Sequence, residues 1–295
     1  MKFSRTEQLP IQDLLNQKAL TVMPLETFAS ELSEVPHSHD AYMIMYVKET
    51  KGGHHLIDFQ RYPLEADRVF LLRPGQAHQR ESRQEKGVLV SFSEKFLQAA
   101  GVRTHDAFVI FSSVYQHPYL DLPEKLKTVF EELVHLMIRE LQEPEPSEPI
   151  LSRYLYILLQ YLLRECHVQI EKLTPVRHSE RLFRLSSLIE SHYKEHRSIG
   201  FYADALSITP KHLNSLCRQY LHTTVADMQH ERLLVESKRL LFFTSLSVKE
   251  IAHQLGFEDA SYFVRFFKRL AGLTPTQLRG GGSKSTILAA ESPAS

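Results

Sequence analysis

The last third of the chain contains one short structural pattern twice, and this duplication restricts the fold more than any other feature. In the second copy, Ser247-Val-Lys-Glu250 fits the Ser-x-x-Glu capping box, and Val248, Ile251, Ala252 and Leu255 recur at helical spacing. A helix is therefore expected from Ser247. Gly256 then supplies a left-handed terminus, and Phe263, Phe266, Phe267 and Leu270 mark the apolar stripe of a second helix. The earlier copy has a short helix over Tyr202–Leu206, a turn at Ser207-Ile208, and a helix that Thr209 caps and Pro210 opens. That helix carries Leu213, Leu216, Cys217 and Tyr220 on one face.

Opposite those apolar stripes lie Lys211, Asn214, Ser215, Arg218 and His222 in the first copy, and Ala260, Ser261, Val264, Arg265 and Lys268 in the second. A short helix pair that exposes a donor-rich second helix suits the reading of a DNA major groove. Two amphipathic hairpins with solvated outer faces would show the same periodicity. Two features favour the DNA reading. A single helical stretch, Val225 to Phe243, joins the copies and would hold both helices at a fixed separation. Charge is also skewed: residues 175–280 carry 15 Lys+Arg against 10 Asp+Glu, whereas residues 1–174 carry 19 against 24, within a chain of zero formal net charge.

Arg232-Leu-Leu, Lys238-Arg-Leu-Leu241, Ser247-Val-Lys-Glu-Ile-Ala252, Leu255-Gly-Phe257, Ser261-Tyr-Phe263, Arg265-Phe-Phe-Lys268 and Gly272-Leu-Thr-Pro275 through Leu278-Arg279 together resemble the signature of the AraC/XylS transcription regulators. The resemblance implies two recognition helices in successive major grooves on one face of the DNA. By position, Lys211, Asn214 and Ser215 would face bases in one groove and Ser261, Val264 and Arg265 in the other, with Arg218 and Lys268 nearer phosphates. RNA polymerase is a further partner that the resemblance implies. The chain departs from the pattern at His222-Thr223, where the family usually has a glycine, and at Ser207, which replaces the frequent glycine of the first turn.

A chain of 295 residues, 43% hydrophobic and 24% charged, is long enough for two globular domains. The start, Met1-Lys-Phe-Ser-Arg-Thr-Glu, lacks the apolar stretch of a signal peptide, and the run Tyr154–Leu163 is too short to span a bilayer, so a cytoplasmic protein without membrane contact is expected. Cys166 and Cys217, far apart, fit reduced thiols. Residues 1–30 read as an arm with at most one helical turn.

From Glu34 to Phe92 the texture changes to short β-rich runs, Tyr42–Val47, His54–Phe59, Val69–Leu72 and Gly87–Phe92, with turn signals at Lys51-Gly-Gly53, Tyr62-Pro63 and Pro74-Gly75. This spacing predicts an antiparallel barrel or sandwich. Within it, Pro36-His-Ser-His39 and Arg73-Pro-Gly-Gln-Ala-His78 look like the two halves of the cupin signature, which implies a double-stranded β-helix. The full signature binds a divalent metal through imidazoles and one carboxylate, but Met43 stands at the acid's position. No metal and no cofactor are therefore expected. His37, His39 and His78 either hydrogen-bond within the mouth of the barrel or contact a small effector, and Met43 and Met45 share the strand face that follows His39, soft enough to repack around an apolar guest.

After an irregular stretch, Ser93–Pro118, two helices are expected over Pro123–Leu141 and Ile150–Val168, separated by the proline-rich Glu143–Pro149. The second is apolar around most of its circumference, so Leu155, Leu158, Leu159 and Leu162 are candidates for a homodimer interface. The alternative is a wholly intramolecular core.

The expected fold class is α+β: an N-terminal cupin-like antiparallel barrel plus helices for effector binding and dimerisation (1–174), an all-α double helix-turn-helix domain (175–280), and a glycine- and serine-rich disordered tail (281–295). The polar segment Glu171–Ser179 is the expected connector. The function this suggests is a non-enzymatic, sequence-specific transcription regulator of double-stranded DNA, an activator by family habit, that responds to a small molecule. The competing readings are a metal-dependent cupin enzyme fused to a DNA-binding domain, and a regulator with no small-molecule ligand.

Overall fold

The computed structural model describes residues 19–27, 36–81, 85–111, 117–173, 176–195 and 198–280. The expected disordered tail and most of the expected N-terminal arm lie outside them. The chain divides into two compact units, residues 1–172 and 173–295.

Among the described residues, the first unit is built on eight strands: β1 (Leu20–Pro24), β2 (Tyr42–Glu49), β3 (His54–Ile57), β4 (Gln60–Pro63), β5 (Arg68–Leu72), β6 (His78–Arg80), β7 (Lys86–Phe92) and β8 (Tyr119–Asp121). They form two antiparallel sheets, ordered β1-β7-β2-β5-β8 and β4-β3-β6. This corrects the expectation of a single closed barrel, since strand pairing among the described residues does not run on from one sheet to the other.

Strand alternation explains how the sheets are used. Met43, Met45 and Val47 of β2 are buried with Phe70 and Leu72 of β5, Leu89 of β7 and Ile57 of β3, which is the apolar filling between the sheets. The alternate residues point the other way. Tyr42 meets Phe111 and Tyr46 meets Phe130, at ring-centroid distances of 4.8 and 4.9 Å, so helices cover the outer face of the larger sheet. Gly87 allows β2 and β7 to approach, because a β-carbon there would lie 1.9 Å from the carbonyl oxygen of Tyr46.

Several local expectations change. Leu20–Pro24, expected within an arm, is an edge strand paired with β7. Tyr62-Pro63, expected as a turn, ends β4, and the hairpin reverses at Asp58-Phe59, both with positive φ of 48° and 72°. The stretch after Phe92 holds two helices, α1 (Glu94–Ala100) and α2 (Thr104–Phe111). Helices α3 (Glu124–Leu141) and α4 (Glu148–Leu173) follow, the second running past both ends of its expected range and into the expected connector.

Leu155, Leu158, Leu159 and Leu162, the expected dimer contacts, are each 0% exposed within a single chain. They are core, and this corrects their assignment to an interface. The sequence pattern showed an apolar helix but not how completely its own unit surrounds it, and the tie between Arg153 and the Ala100 carbonyl shows α1 among its neighbours. Among the described residues of α4, the large apolar side chains it exposes are Ile150, Ile157 and Val168.

The second unit comprises α5 (Val176–His192), α6 (Ile199–Ala205), α7 (Pro210–Leu221), α8 (Val225–Phe243), α9 (Val248–Gln254), α10 (Ala260–Ala271) and α11 (Pro275–Gly280). Helix α8 has the span expected from the sequence and packs against α5, α7, α9, α10 and α11. Arg232 clamps it to α5, donating to both carboxylate oxygens of Glu190 at 2.8 and 2.9 Å while its guanidinium lies over the Tyr193 ring. Both cysteines are buried, one in each unit, and burial pushes their thiols up to about 12 for Cys166 and about 11 for Cys217. Among the described residues, no helix is long and apolar enough to cross a membrane.

If the α4 leucines are core, Leu158→Ala should cost about 2–5 kcal/mol in chemical denaturation. His167→Ala, on the exposed side of the same helix, should stay within roughly 0.5 kcal/mol of the parent. Equal losses for the two variants would contradict this assignment of faces.

Candidate functional site

In the second unit the duplication seen in the sequence is a duplication in space. Thr209 caps α7, accepting from the His212 N–H at 3.2 Å, and Asp259 caps α10, accepting from the Ser261 and Tyr262 N–H groups at 2.8 and 3.1 Å. Ser247 and Glu250 form the complete capping box at α9. The repeat extends further than the sequence reading had it, because Thr224 caps α8 and Thr274 caps α11 in the same way. Each copy is therefore three helices, and the third helix of the first copy is the start of α8.

The exposure pattern repeats residue for residue. Positions 211–219 and 261–269 both run exposed, exposed, buried, intermediate, exposed, buried, buried, exposed, exposed. Lys211, Ser215 and Arg218 of α7 and Ser261, Arg265 and Lys268 of α10 thus stand on solvent-facing surfaces, as the sequence placed them. Asn214 and Val264 occupy the matching half-buried position. Lys211, Asn214, Ser215, Arg218 and Gln219 line one shallow open depression.

Asn214 differs from its expected role in one respect. Its side-chain oxygen accepts from the Val225 N–H at 3.1 Å and so helps to close the first turn of α8. Its amide donors stay available for a base. Tyr262, 52% exposed at the start of α10 beside Arg265, was missed by the sequence reading, which counted it only as part of a motif. The two departures from glycine are accommodated, since Ser207 and His222 take left-handed φ values of 54° and 53°, as Gly256 and Gly272 do at 76° and 75° in the other copy. The same left-handed turn conformation is thus kept in the first copy by side-chain-bearing residues.

In the first unit the His-x-His segment and β6 meet. His37 and His78 exchange backbone hydrogen bonds of 3.0 and 2.8 Å, and the His39 carbonyl accepts from the Gly75 N–H at 2.8 Å. Asp58, at the β3–β4 turn, accepts from Gln76 and from the Ala77 N–H and so holds the loop that leads to His78. The result gathers His37, His39 and His78, with ring centroids 4.4 to 5.3 Å apart and each residue no more than 5% exposed.

A fourth histidine, His55, was not found from the sequence. It is 0% exposed, its Nε2 lies 3.2 Å from His78 Nδ1, and its ring meets Phe70. The available signal was the strand period: the register of β3 against β6 sets His55 opposite Arg80 and Ile57 opposite His78. Met43 and Met45 are packed into the apolar filling between the sheets. Burial holds the imidazole of His39 down to about 4, with a smaller contribution from His37. Burial likewise holds His55 and His78 well below the usual histidine value, aided by Arg80 and His37 around His55 and by His37 and the other neighbours around His78.

Residues 32–163 match the model of the AraC-like ligand binding domain, and residues 202–281 match that of a helix-turn-helix domain. The chain belongs to the AraC family. Among its relatives, the arabinose operon regulatory protein of Salmonella typhimurium is 31% identical over 126 residues, which are 42% of this chain and 44% of that one. The chain thus spans less than half the length of that family member. The transcriptional activator RhaS of Escherichia fergusonii is 24% identical over 254 residues, 84% of this chain and 88% of that one. Among solved structures, ToxT of Vibrio cholerae O395 aligns over 90% of this chain and 98% of its own at 14% identity, with a TM-score of 0.44.

Two outcomes test these geometries. Asn214→Ala should lower stability by about 1 kcal/mol in thermal denaturation, the usual loss for a capping side chain; an unchanged melting temperature would leave Asn214 without its structural part. The depressed histidines are neutral in the folded unit and protonate on unfolding, so their contribution is present above about pH 6.5 and is lost as pH falls towards the folded value near 4. In chelator-containing buffer, stability should fall over that window by up to about 1.4 kcal/mol per pH unit for each histidine, and His39→Gln should flatten the profile.

Proposed function

We propose that this AraC-family chain is a sequence-specific regulator of transcription that grips double-stranded DNA with α7 and α10 and takes a small-molecule effector in its N-terminal unit. The observation that carries the reading is the repeated exposure pattern of these two helices, which turns ten hydrogen-bonding or cationic side chains outward on two matched faces. Lys211, Asn214 and Ser215 are assigned to bases in one groove and Ser261, Val264 and Arg265 to bases in the next, with Arg218 and Lys268 on phosphates. The family's regulatory function supports this reading over the enzymatic one.

For the N-terminal unit the reading is a cupin-like two-sheet sandwich with its effector site at the histidine cluster of His37, His39 and His78. Met43 and Met45 form the adaptable apolar floor of that site. A homodimer fits the family reading, and on α4 its contact surface is assigned to the edge carrying Ile150, Ile157 and Val168. Activation through RNA polymerase and a cytoplasmic location belong to the same proposal, and sedimentation equilibrium of the full chain at micromolar concentration tests the dimer.

The DNA reading is tested with the full chain and a genomic segment selected by it, compared with the scrambled segment at about 150 mM salt. Arg265→Ala should weaken specific binding by about 1–3 kcal/mol and relax preference at its own base positions. Lys268→Ala should weaken binding to both segments alike and reduce the salt slope by about one. A parent chain that does not discriminate between the two segments refutes the proposal.

A further inference from the structure

We propose that His37, His39 and His78 bind one late first-row divalent metal ion, of which Zn²⁺ is the type, with His55 as the positioning residue that holds His78. The expectation of a metal-free site rested on Met43 standing where an acidic ligand is wanted. The folded arrangement changes that argument. Three imidazoles, one nitrogen from each, come within 4.8 Å of one another, and all three residues are buried. Three histidines with an open fourth position are a sufficient protein ligand set for zinc, and imidazole suits zinc, copper and nickel better than calcium or magnesium.

The backbone already pays the cost of bringing the three ligands together. The paired hydrogen bonds between His37 and His78 fix those two residues side by side, and the Gly75 N–H fixes the His39 carbonyl. The remaining adjustment is small. Zinc–nitrogen bonds of ~2.0–2.1 Å set tetrahedral ligand atoms roughly 3.4 Å apart, so nitrogens within 4.8 Å close on an ion by ring rotation rather than by movement of strands.

His55 supplies the independent observation. A histidine that ligates a metal ordinarily engages a second group through its other ring nitrogen, which sets the tautomer and the ring plane. His78 does this: its Nδ1 is 3.2 Å from His55 Nε2, and its Nε2 is buried with no hydrogen-bond partner among the described residues. A buried imidazole nitrogen left in this way is costly unless something accepts its lone pair. A metal ion does so, and Nε2 is then the coordinating atom of His78.

With no carboxylate ligand the bound ion keeps its full double charge. Its open position therefore favours water or the anionic donor of an organic molecule, which gives the sensing reading of this unit a chemical class of ligand. That last step rests on the proposed function; the metal site itself does not.

The test uses full-length protein stripped with chelator, dialysed, and titrated with Co²⁺ and then Zn²⁺, by calorimetry and by the visible absorption of nitrogen-ligated cobalt. The expected result is one ion per chain, with Zn²⁺ displacing Co²⁺. Because the chain has 16 histidines, binding must be localised. His39→Ala and His37→Ala should each abolish the cobalt spectrum while the circular dichroism of the metal-free protein is kept. His55→Leu should weaken binding by about 10–100-fold and alter the cobalt spectrum, and His55→Gln, which still accepts from His78 Nδ1, should recover most of the affinity. No stoichiometric uptake by the parent chain overturns the proposal, as does uptake unchanged in folded His39→Ala. A chain that takes no metal yet selects its DNA segment and responds to an organic compound overturns this inference alone; one that binds metal but does not discriminate DNA sequences overturns the proposed function alone.

Discussion

The C-terminal unit depends on helix α8 being one rigid piece. Two outward faces can act together only if their spacing is set, and the helix that joins the two copies is 19 uninterrupted residues, about 28 Å long. Sequence propensity alone does not secure a helix of this length, because most helical stability comes from tertiary packing. Here Thr224 and Asn214 satisfy amides of its first turn, and Arg232 joins its middle to α5 through Glu190 and Tyr193. The helix-turn-helix pairs on either side then pack against α8 through buried faces, leaving their polar faces to solvent.

Asn214 illustrates how closely reading and support are joined. One side chain of α7 both lines the exposed depression and caps α8. Its counterpart in the second copy, Val264, has no such group to offer, and α11 is capped there by Thr274, with Gln277 accepting back from the Thr274 N–H. The two copies share a backbone plan and differ in how firmly the recognition helix is tied to the helix that follows it.

The N-terminal unit depends on register. In β3 and β6 a period of two selects which residues turn inward, so a slip by one position would replace His55 and His78 with His54 and Gln79. The hairpin turn at Asp58-Phe59 sets the register of β3 against β4, and the same Asp58 carboxylate reaches across to hold the loop before His78. The energetic consequence is a group of imidazoles kept neutral by burial, beside the wholly buried ion pair of Arg80 and Glu85 at 2.9 Å.

The sequence by itself determined those features that local chemistry specifies. The caps at Ser247 and Thr209, the span of α8, the polar faces of α7 and α10 and the cores of β2, β5 and β7 all follow from periods and end signals carried by neighbouring residues. Tertiary structure alone decided what depends on partners far along the chain. Strands as short as β6 and β8 carry too few residues for a period to show, and the edge strand β1 is defined by its pairing with β7. The burial of Leu155, Leu158, Leu159 and Leu162 depended on how completely one unit surrounds α4, a quantity an apolar helix does not reveal. The placing of His55 against His78 depended on the pairing of β3 with β6, two strands that are not neighbours along the chain, and no local pattern around either histidine encodes the other.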